Sequence, residues 1–196
     1  TIGYSTHRPE SLAFAATFMQ SHDAIFLEDP PTPGFRMMLK KELSIEEYLM
    51  RTDTEYPEFA RGLCGILRHQ YSKGKAIFQV EPFIEELLKI HEFFAGGGKP
   101  LQISPGTVSF DVYQAEKEAT GKLLKFYRTS VKGGFEENIN SVKAFARADA
   151  ARFRLRDVMR ARSIANLASR FSSVYVEAGE IHVLLLKELK LATGTG

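Results

Sequence analysis

Four short runs of apolar, β-forming residues are separated by longer stretches with helical periodicity, and this alternation constrains the fold most strongly. The runs are TIGYS (1–5), AIFLE (24–28), KAIFQVE (75–81) and SVYVEAG (173–179). Strands that alternate with helices form parallel sheets, because a parallel connection needs a long crossover. The sequence therefore predicts an α/β protein with a mostly parallel sheet flanked by helices.

A helical region of different texture lies between the third and fourth runs. Residues 106–130 and 135–171 each show helical periodicity, and Lys-Gly-Gly at 132–134 separates them. Two long helices joined by a short turn form a helical hairpin. We therefore expect a single α/β domain over residues 1–196, with a long helical hairpin at 106–171 inserted before the last strand.

Composition narrows the class of protein. The net charge of +2 is too small to indicate a nucleic-acid or membrane-surface partner by itself. No apolar run reaches the roughly 18 residues of a membrane helix, and we expect neither a membrane segment nor a signal peptide. A single cysteine, Cys64, excludes an internal disulfide. These features predict a cytoplasmic globular protein.

Acidic and imidazole side chains end or follow the predicted strands. His7 follows the first strand, Glu28 closes the second and Glu81 closes the third. Glu177 ends the last strand, and we expect His182 in the first turn of the final helix. Parallel strands end at one edge of a sheet, where open α/β sheets bind their ligands. We therefore expect these side chains to gather at that edge.

Such a group of side chains supports more than one kind of chemistry. Two imidazoles with two or three carboxylates suit Mn, Co, Fe or Zn. A bound metal would acidify its water and polarise a carbonyl, which leaves a glutamate free as general base. Without metal, the same groups form a His–Glu acid/base pair. The structural alternative is that Glu28 and Glu81 cap neighbouring helices or pair with arginine.

The late helical segment supplies positive charge. Residues 148–162 include Arg152, Arg154, Arg156, Arg160 and Arg162. Arg156 falls on a helix stripe shared with apolar residues, from which it would bind a carboxylate or stabilise an oxyanion. Arg160 and Glu177 are further candidates for the site. The alternative is a solvated helix face with i,i+3 ion pairs such as Asp157–Arg160.

Several of these elements resemble the TraB/Tiki group, which is similar in turn to the ChaN and erythromycin-esterase-like proteins. The similarity rests on a glycine and histidine after the first strand, a second strand ending in Glu, LRDVM (155–159) and VEAGEIH (176–182). The resemblance implies that His7 and His182 are the two motif histidines. It also implies that Glu28 is the acid closing the second strand and Arg156 the arginine of the late helix.

The resemblance implies a range of activities. Members of the Tiki branch are metal-dependent proteases, erythromycin esterases hydrolyse a lactone, and ChaN-like proteins bind haem iron. The usual first motif is G-x-x-H, whereas Gly3 and His7 are one residue further apart. Tyr4 stands where the esterase-like branch has a glutamate. The resemblance therefore implies a metal-dependent hydrolase, or a site that no longer catalyses, rather than an esterase of that form.

The leading hypothesis is a metal-dependent hydrolase that acts on a peptide or ester-like bond. Its metal ligands would be His7, Glu28 and His182. Glu81 would be a further ligand or the general base, and Arg156 would contact the oxyanion or a substrate carboxylate.

The runner-up hypothesis is a binding module on the same fold. It would hold haem or an anion without chemistry, or its hairpin would pack against a partner or a second copy to form a homo-oligomer. Nucleic-acid binding through the arginine-rich helix ranks last, because Asp149 and Asp157 dilute its charge.

Overall fold

A computed structural model describes residues 1–52 and 54–194 and confirms the α/β fold with a parallel sheet. Its strands are β1 (Ile2–Ser5), β2 (Ala24–Leu27), β3 (Ala76–Gln79) and β4 (Val174–Gly179). All neighbouring strands run parallel, in the order β1-β4-β2-β3. Because the last strand lies between the first two, the carboxyl ends of β1, β4 and β2 are adjacent.

Helices connect the strands. Those of the described residues are α1 (Leu12–Gln20), α2 (Phe35–Leu39), α3 (Ile45–Leu49), α4 (Pro57–Ser72), α5 (Pro82–Ala95), α6 (Val108–Lys132), α7 (Phe135–Ala168) and α8 (Leu185–Thr193). Pro57 and Pro82 are the first residues of α4 and α5, where a missing N–H is tolerated. Within the described ranges, no helix combines the length and the apolar character that a membrane crossing requires.

The chain divides into two compact units, and the first contains the sheet. This unit comprises Thr1–Glu81 and Arg160–Gly196. All four residues of β2 are at most 1% exposed. Ile25 and Leu27 pack into one apolar cluster with Met38, and Phe26 packs into another with Leu185. Burial on both faces explains why β2 is a continuous apolar run rather than an alternating one.

The second unit, Pro82–Met159, is helical. Its α6 and α7 form the predicted hairpin before the last strand. The Thr129 and Ser141 hydroxyls are 2.7 Å apart, and an Arg152 nitrogen lies 3.0 Å from a Glu116 oxygen, so the two helices run antiparallel. The expectation that the whole chain is one domain, with residues 106–171 as a subregion, stays a prediction.

The final helix begins later than the sequence predicted, and the placement of His182 in its first turn was wrong. Residues 180–184 form turns, in which His182 N–H donates to the Gly179 carbonyl at 3.1 Å. The Leu185 N–H then donates to the His182 carbonyl at 3.2 Å, and α8 starts at Leu185. A continuous apolar run such as IHVLLL contains no start signal. The buried contact of the His182 ring holds this segment in turns instead.

Candidate functional site

Polar side chains converge at the carboxyl end of the sheet in the first unit. Gly179, the last residue of β4, is paired in register with Ser5, the last residue of β1. Each neighbouring strand therefore delivers residues to the same edge. The predicted residues brought together there are His7, Glu28, Glu81, Glu177 and His182.

Their potential ligand atoms form two groups that share Glu28. We call His7, Glu28 and Glu177 the outer cluster, and Glu28, Glu81 and His182 the inner cluster. In each cluster the ligand atoms lie within 4.8 Å of one another. The clusters differ in access to solvent. The His7 side chain is 28% exposed, whereas Glu81 and His182 are 1% and 0% exposed.

Glu28 is held in place on both oxygens. Its Oε1 lies 2.6 Å from Nε2 of His182, and its Oε2 accepts a hydrogen bond from the backbone N–H of Gly179. Nη1 of Arg160 is 3.8 Å from the same Oε2. Burial opposes ionisation of Glu28, but the hydrogen bond to His182, the charges of His182 and Arg160, and the Gly179 N–H lower its pKa to about 2. Glu28 is therefore ionised and oriented.

Arg160 is the arginine that lies beside this carboxylate. It is completely buried, its Nε donates to the Val80 carbonyl at 3.0 Å, and its Nη2 donates to the Glu177 carbonyl at 2.6 Å. The guanidinium thus joins β4 to the segment that follows β3. The sequence named Arg160 only as a further candidate, because helical periodicity does not distinguish it from the other arginines of the stripe.

Arg156, which the sequence favoured, lies in the second unit. Its guanidinium carbon is 5.0 Å from the ring centroid of Phe153 and 5.9 Å from that of Phe83. These are cation–π distances. Its role as an oxyanion or substrate contact stays a prediction.

The outer cluster combines a strained histidine with an acceptor atom that makes no hydrogen bond. His7 has φ +54°, a left-handed conformation uncommon for a residue other than glycine, and its N–H donates to Ser5 Oγ at 3.0 Å. Its Nε2 lies 3.5 Å from Glu177 Oε1, which raises the pKa of His7 against the effect of burial. Glu177 is 5% exposed, and its Oε1 is buried without a hydrogen-bond partner.

A cleft of about 320 Å³ opens beside the outer cluster. Its acidic residues are Glu28, Asp29, Glu55 and Glu177, and its aromatic residues are Tyr56 and Phe59. The ring of His7 lies 5.3 Å from that of Tyr56 and 5.1 Å from that of Phe59, between centroids. Glu81 and His182 do not line this cleft, so only the outer cluster is accessible from it.

Asp29 is a residue of the cleft that sequence reasoning missed. It is solvent-accessible, yet the surrounding protein atoms, followed by the charges of Glu177 and Glu28, raise its pKa to about 6. The signal was present in the sequence, because Asp29 directly follows Glu28 in the strand ending AIFLEDP. Tyr56 and Phe59, at the start of α4, were also missed, and no strand ending points to them.

The absence of a side chain at Gly179 leaves space between Glu28 and His7 of the outer cluster. A Cβ at this position would lie 3.2 Å from Glu28 Oε2 and 3.2 Å from His7 Cε1. Such distances are tighter than ordinary van der Waals contacts. A side chain here would therefore push against both a carboxylate and an imidazole of the outer cluster.

The donor set fits a divalent transition metal. The outer cluster offers one imidazole nitrogen and carboxylate oxygens, which suit Mn, Co, Fe or Zn. Glu177 Oε1 makes no hydrogen bond and has His7 Nε2 3.5 Å away, so it is a buried acceptor that a cation would satisfy, since buried polar atoms are normally paired. The residues present are therefore compatible with a metal ion in the outer cluster.

Comparison with known proteins finds a distant similarity over nearly the whole chain. The chain is 27% identical over 188 residues to an uncharacterized protein of Archaeoglobus fulgidus, an alignment that covers 96% of this chain. The chain spans 63% of that relative's length. No protein-family model matches the chain. No solved structure matches it either.

Proposed function

We propose that this protein is a metal-dependent hydrolase that acts on a peptide or ester-like bond, with its ion held by His7, Glu28 and Glu177. The observation that carries the proposal is that the ligand atoms of these three residues lie within 4.8 Å of one another beside an open cleft. A bound ion would supply Lewis acidity toward a carbonyl oxygen and toward water.

The outer cluster suits catalysis better than the inner one because catalytic metal sites keep a position open for water or substrate. The inner cluster has no such access, since His182 is fully buried. We therefore assign His182 and Arg160 to positioning: they fix and ionise Glu28, as hydrogen-bond partners of metal ligands commonly do. This assignment moves His182 from the ligand role that the sequence suggested to a supporting role.

Glu81, which the sequence suggested as a further ligand or the general base, is only 1% exposed and is therefore poorly placed to reach a substrate.

The resemblance to the TraB/Tiki group agrees with this chemistry, because its Tiki branch contains metal-dependent proteases. The haem alternative is less well supported. A haem needs extended apolar walls, whereas four carboxylates line the cleft.

A metal-free reaction is the second candidate, because Nε2 of His7 lies only 3.5 Å from Glu177 Oε1. Such a pair could transfer protons without an ion. The two candidates differ in one observable, since chelation abolishes the first activity and leaves the second intact.

The test is hydrolysis of a quenched-fluorescent peptide pool and of nitrophenyl esters by tag-free protein. The protein is stripped with chelator and then supplied with Mn, Co, Fe or Zn. We expect turnover only with added metal, and a loss of about 100-fold or more in His7→Ala and Glu177→Gln. Glu58→Gln is the matched control, because Glu58 is a 75% exposed residue of α4 paired with Arg61, and it should leave turnover unchanged.

Two outcomes would contradict the metal proposal. Turnover that persists in chelator and still depends on His7 would favour the metal-free pair. Turnover that neither His7→Ala nor Glu177→Gln reduces would remove the outer cluster from the reaction altogether.

A further inference from the structure

The cleft beside the outer cluster is strongly unbalanced in charge. Four of its lining residues are carboxylates, and among the described residues no lysine or arginine lines it. Glu28 and Glu177 belong to the outer cluster and face Arg160, His182 and His7. Asp29 and Glu55 have no cationic side chain within 4.0 Å in the described part of the chain. Negative charge therefore remains in the cleft after the cluster is accounted for.

An aromatic surface accompanies these carboxylates. Tyr56 directly follows Glu55 and is 48% exposed, and it lines the same cleft. The ring centroids of His7 and Tyr56 lie 5.3 Å apart. The face of a tyrosine attracts a cation within about 6 Å, and neighbouring carboxylates strengthen that attraction.

A buried acceptor facing the cleft provides an independent indication of a ligand. Glu177 is 5% exposed and lines the cleft, and its Oε1 makes no hydrogen bond, with His7 Nε2 lying 3.5 Å away. Buried carboxylate oxygens are normally satisfied by a donor or a cation. The cleft therefore presents a buried acceptor that makes no hydrogen bond, two further carboxylates and an exposed aromatic ring.

We propose that this cleft recognises a guanidinium or ammonium group, held by Asp29, Glu55 and the ring of Tyr56, and that the substrate of the enzyme carries such a group beside the bond it presents to His7, Glu28 and Glu177. A peptide with an arginine or lysine side chain next to the scissile bond fits this description. The assignment of the bound group as part of a substrate rests on the proposed hydrolase function. The preference of the cleft for a cation does not.

The test compares N-acetyl-arginine amide with N-acetyl-citrulline amide, which has nearly the same shape and no charge. Binding is measured by calorimetry or NMR titration on both metal-loaded and chelator-treated protein. We expect the arginine compound to bind at least about tenfold more tightly in both forms, with a preference that falls as salt is raised. Agmatine and an acetylated Gly-Arg-Gly amide extend the comparison. Equal binding of the two would show that the cleft recognises the guanidinium alone, and tighter binding of the peptide would show that its backbone is recognised as well.

Substitutions in the cleft test which side chains produce the preference for the arginine compound. Glu55→Gln combined with Asp29→Asn should bring the arginine and citrulline compounds to within about threefold of each other, and Tyr56→Leu should reduce the difference by several-fold. Glu58→Gln, in the first turn of α4 and outside the cleft, should preserve the preference for arginine. Equal affinities for the two compounds, or a preference that survives the double substitution, would overturn the proposal.

Metal dependence and arginine preference are measured separately, so the cation site and the hydrolase function can fail independently. Loss of metal dependence with a retained arginine preference would remove the hydrolase and keep the cation site. Metal-dependent turnover that is indifferent to a basic residue in the peptide would keep the hydrolase and remove the cation site.

Discussion

Replacement of Arg160 by methionine should destabilise the protein more than any other single change at the site. Methionine keeps much of the volume of the side chain but removes its charge and its donors. Arg160 is completely buried and donates hydrogen bonds to the Val80 and Glu177 carbonyls at 3.0 and 2.6 Å. Its Nη1 also lies 3.8 Å from Glu28 Oε2.

The magnitude follows from these contacts. Hydrogen bonds from a charged donor contribute about 1.5–3 kcal/mol each, and loss of one partner of a buried ion pair costs about 3–5 kcal/mol. The two effects overlap, since both include the free energy of leaving buried acceptors without a donor. We therefore expect Arg160→Met to lower the free energy of unfolding by about 4 kcal/mol.

The assay is denaturant unfolding of tag-free, chelator-treated protein at neutral pH, with Arg162→Met as the matched control. Arg162 is two residues away on the same helix and exposed, so its replacement should stay within about 0.5 kcal/mol. Arg160→Lys should be intermediate, because an ammonium keeps the charge without the planar fork of donors. A change below about 1 kcal/mol in Arg160→Met would refute the buried-network argument.

Three further changes test separate parts of the account. Asp29→Asn should stabilise the chelator-treated protein above pH 6. Asp29 is charged there in both the folded and the unfolded state, and its raised pKa of about 6 means that the folded state disfavours this charge. The rise of the Asp29 pKa from 3.8 to about 6 corresponds to about 3 kcal/mol of folding free energy, and screening by solvent reduces this to about 1 kcal/mol. The difference in stability between the variant and the unaltered protein should vanish in melts below pH 3.8, where Asp29 is neutral in both states. A stabilisation that persists there would contradict the argument. Gly179→Ala should weaken metal binding about tenfold, as measured by calorimetry. The control Gly65→Ala should leave metal binding unchanged, because a Cβ at Gly65 would meet nothing within 4 Å. Burial raises the pKa of Cys64 to about 12, so a thiol reagent should label it only on the timescale of unfolding, and rapid labelling of native protein would contradict its buried position.

The fold was predictable because its signals are local. Apolar runs such as AIFL in β2 and VYVEAG in β4 identify strands on their own, and a glycine pair ends α6 and begins α7. Parallel pairing follows from the helices between strands. The sheet order could not be predicted, because β4 inserts between β1 and β2 through contacts between residues more than 140 positions apart.

The candidate site was predictable to the same extent as the sheet. Parallel strands bring their carboxyl ends together, which anticipates the proximity of His7, Glu28 and Glu177. The division into an outer and an inner cluster depends on the depth of each side chain, and periodicity carries no information about depth at a strand end. For the same reason Arg160 could not be separated from Arg156, since one helical turn places one beside Glu28 and the other in the second unit.

Metal uptake by tag-free protein is the most direct test of the central claim. After chelation and equilibrium dialysis against Mn, Co, Fe or Zn, elemental analysis should find about one ion per chain for the preferred metal. His7→Ala and Glu177→Gln should each abolish that uptake, while Glu58→Gln should retain it. If no metal binds, or if uptake is the same in both cluster variants as in the unaltered chain, then the outer cluster is not a metal site and the proposed chemistry is wrong.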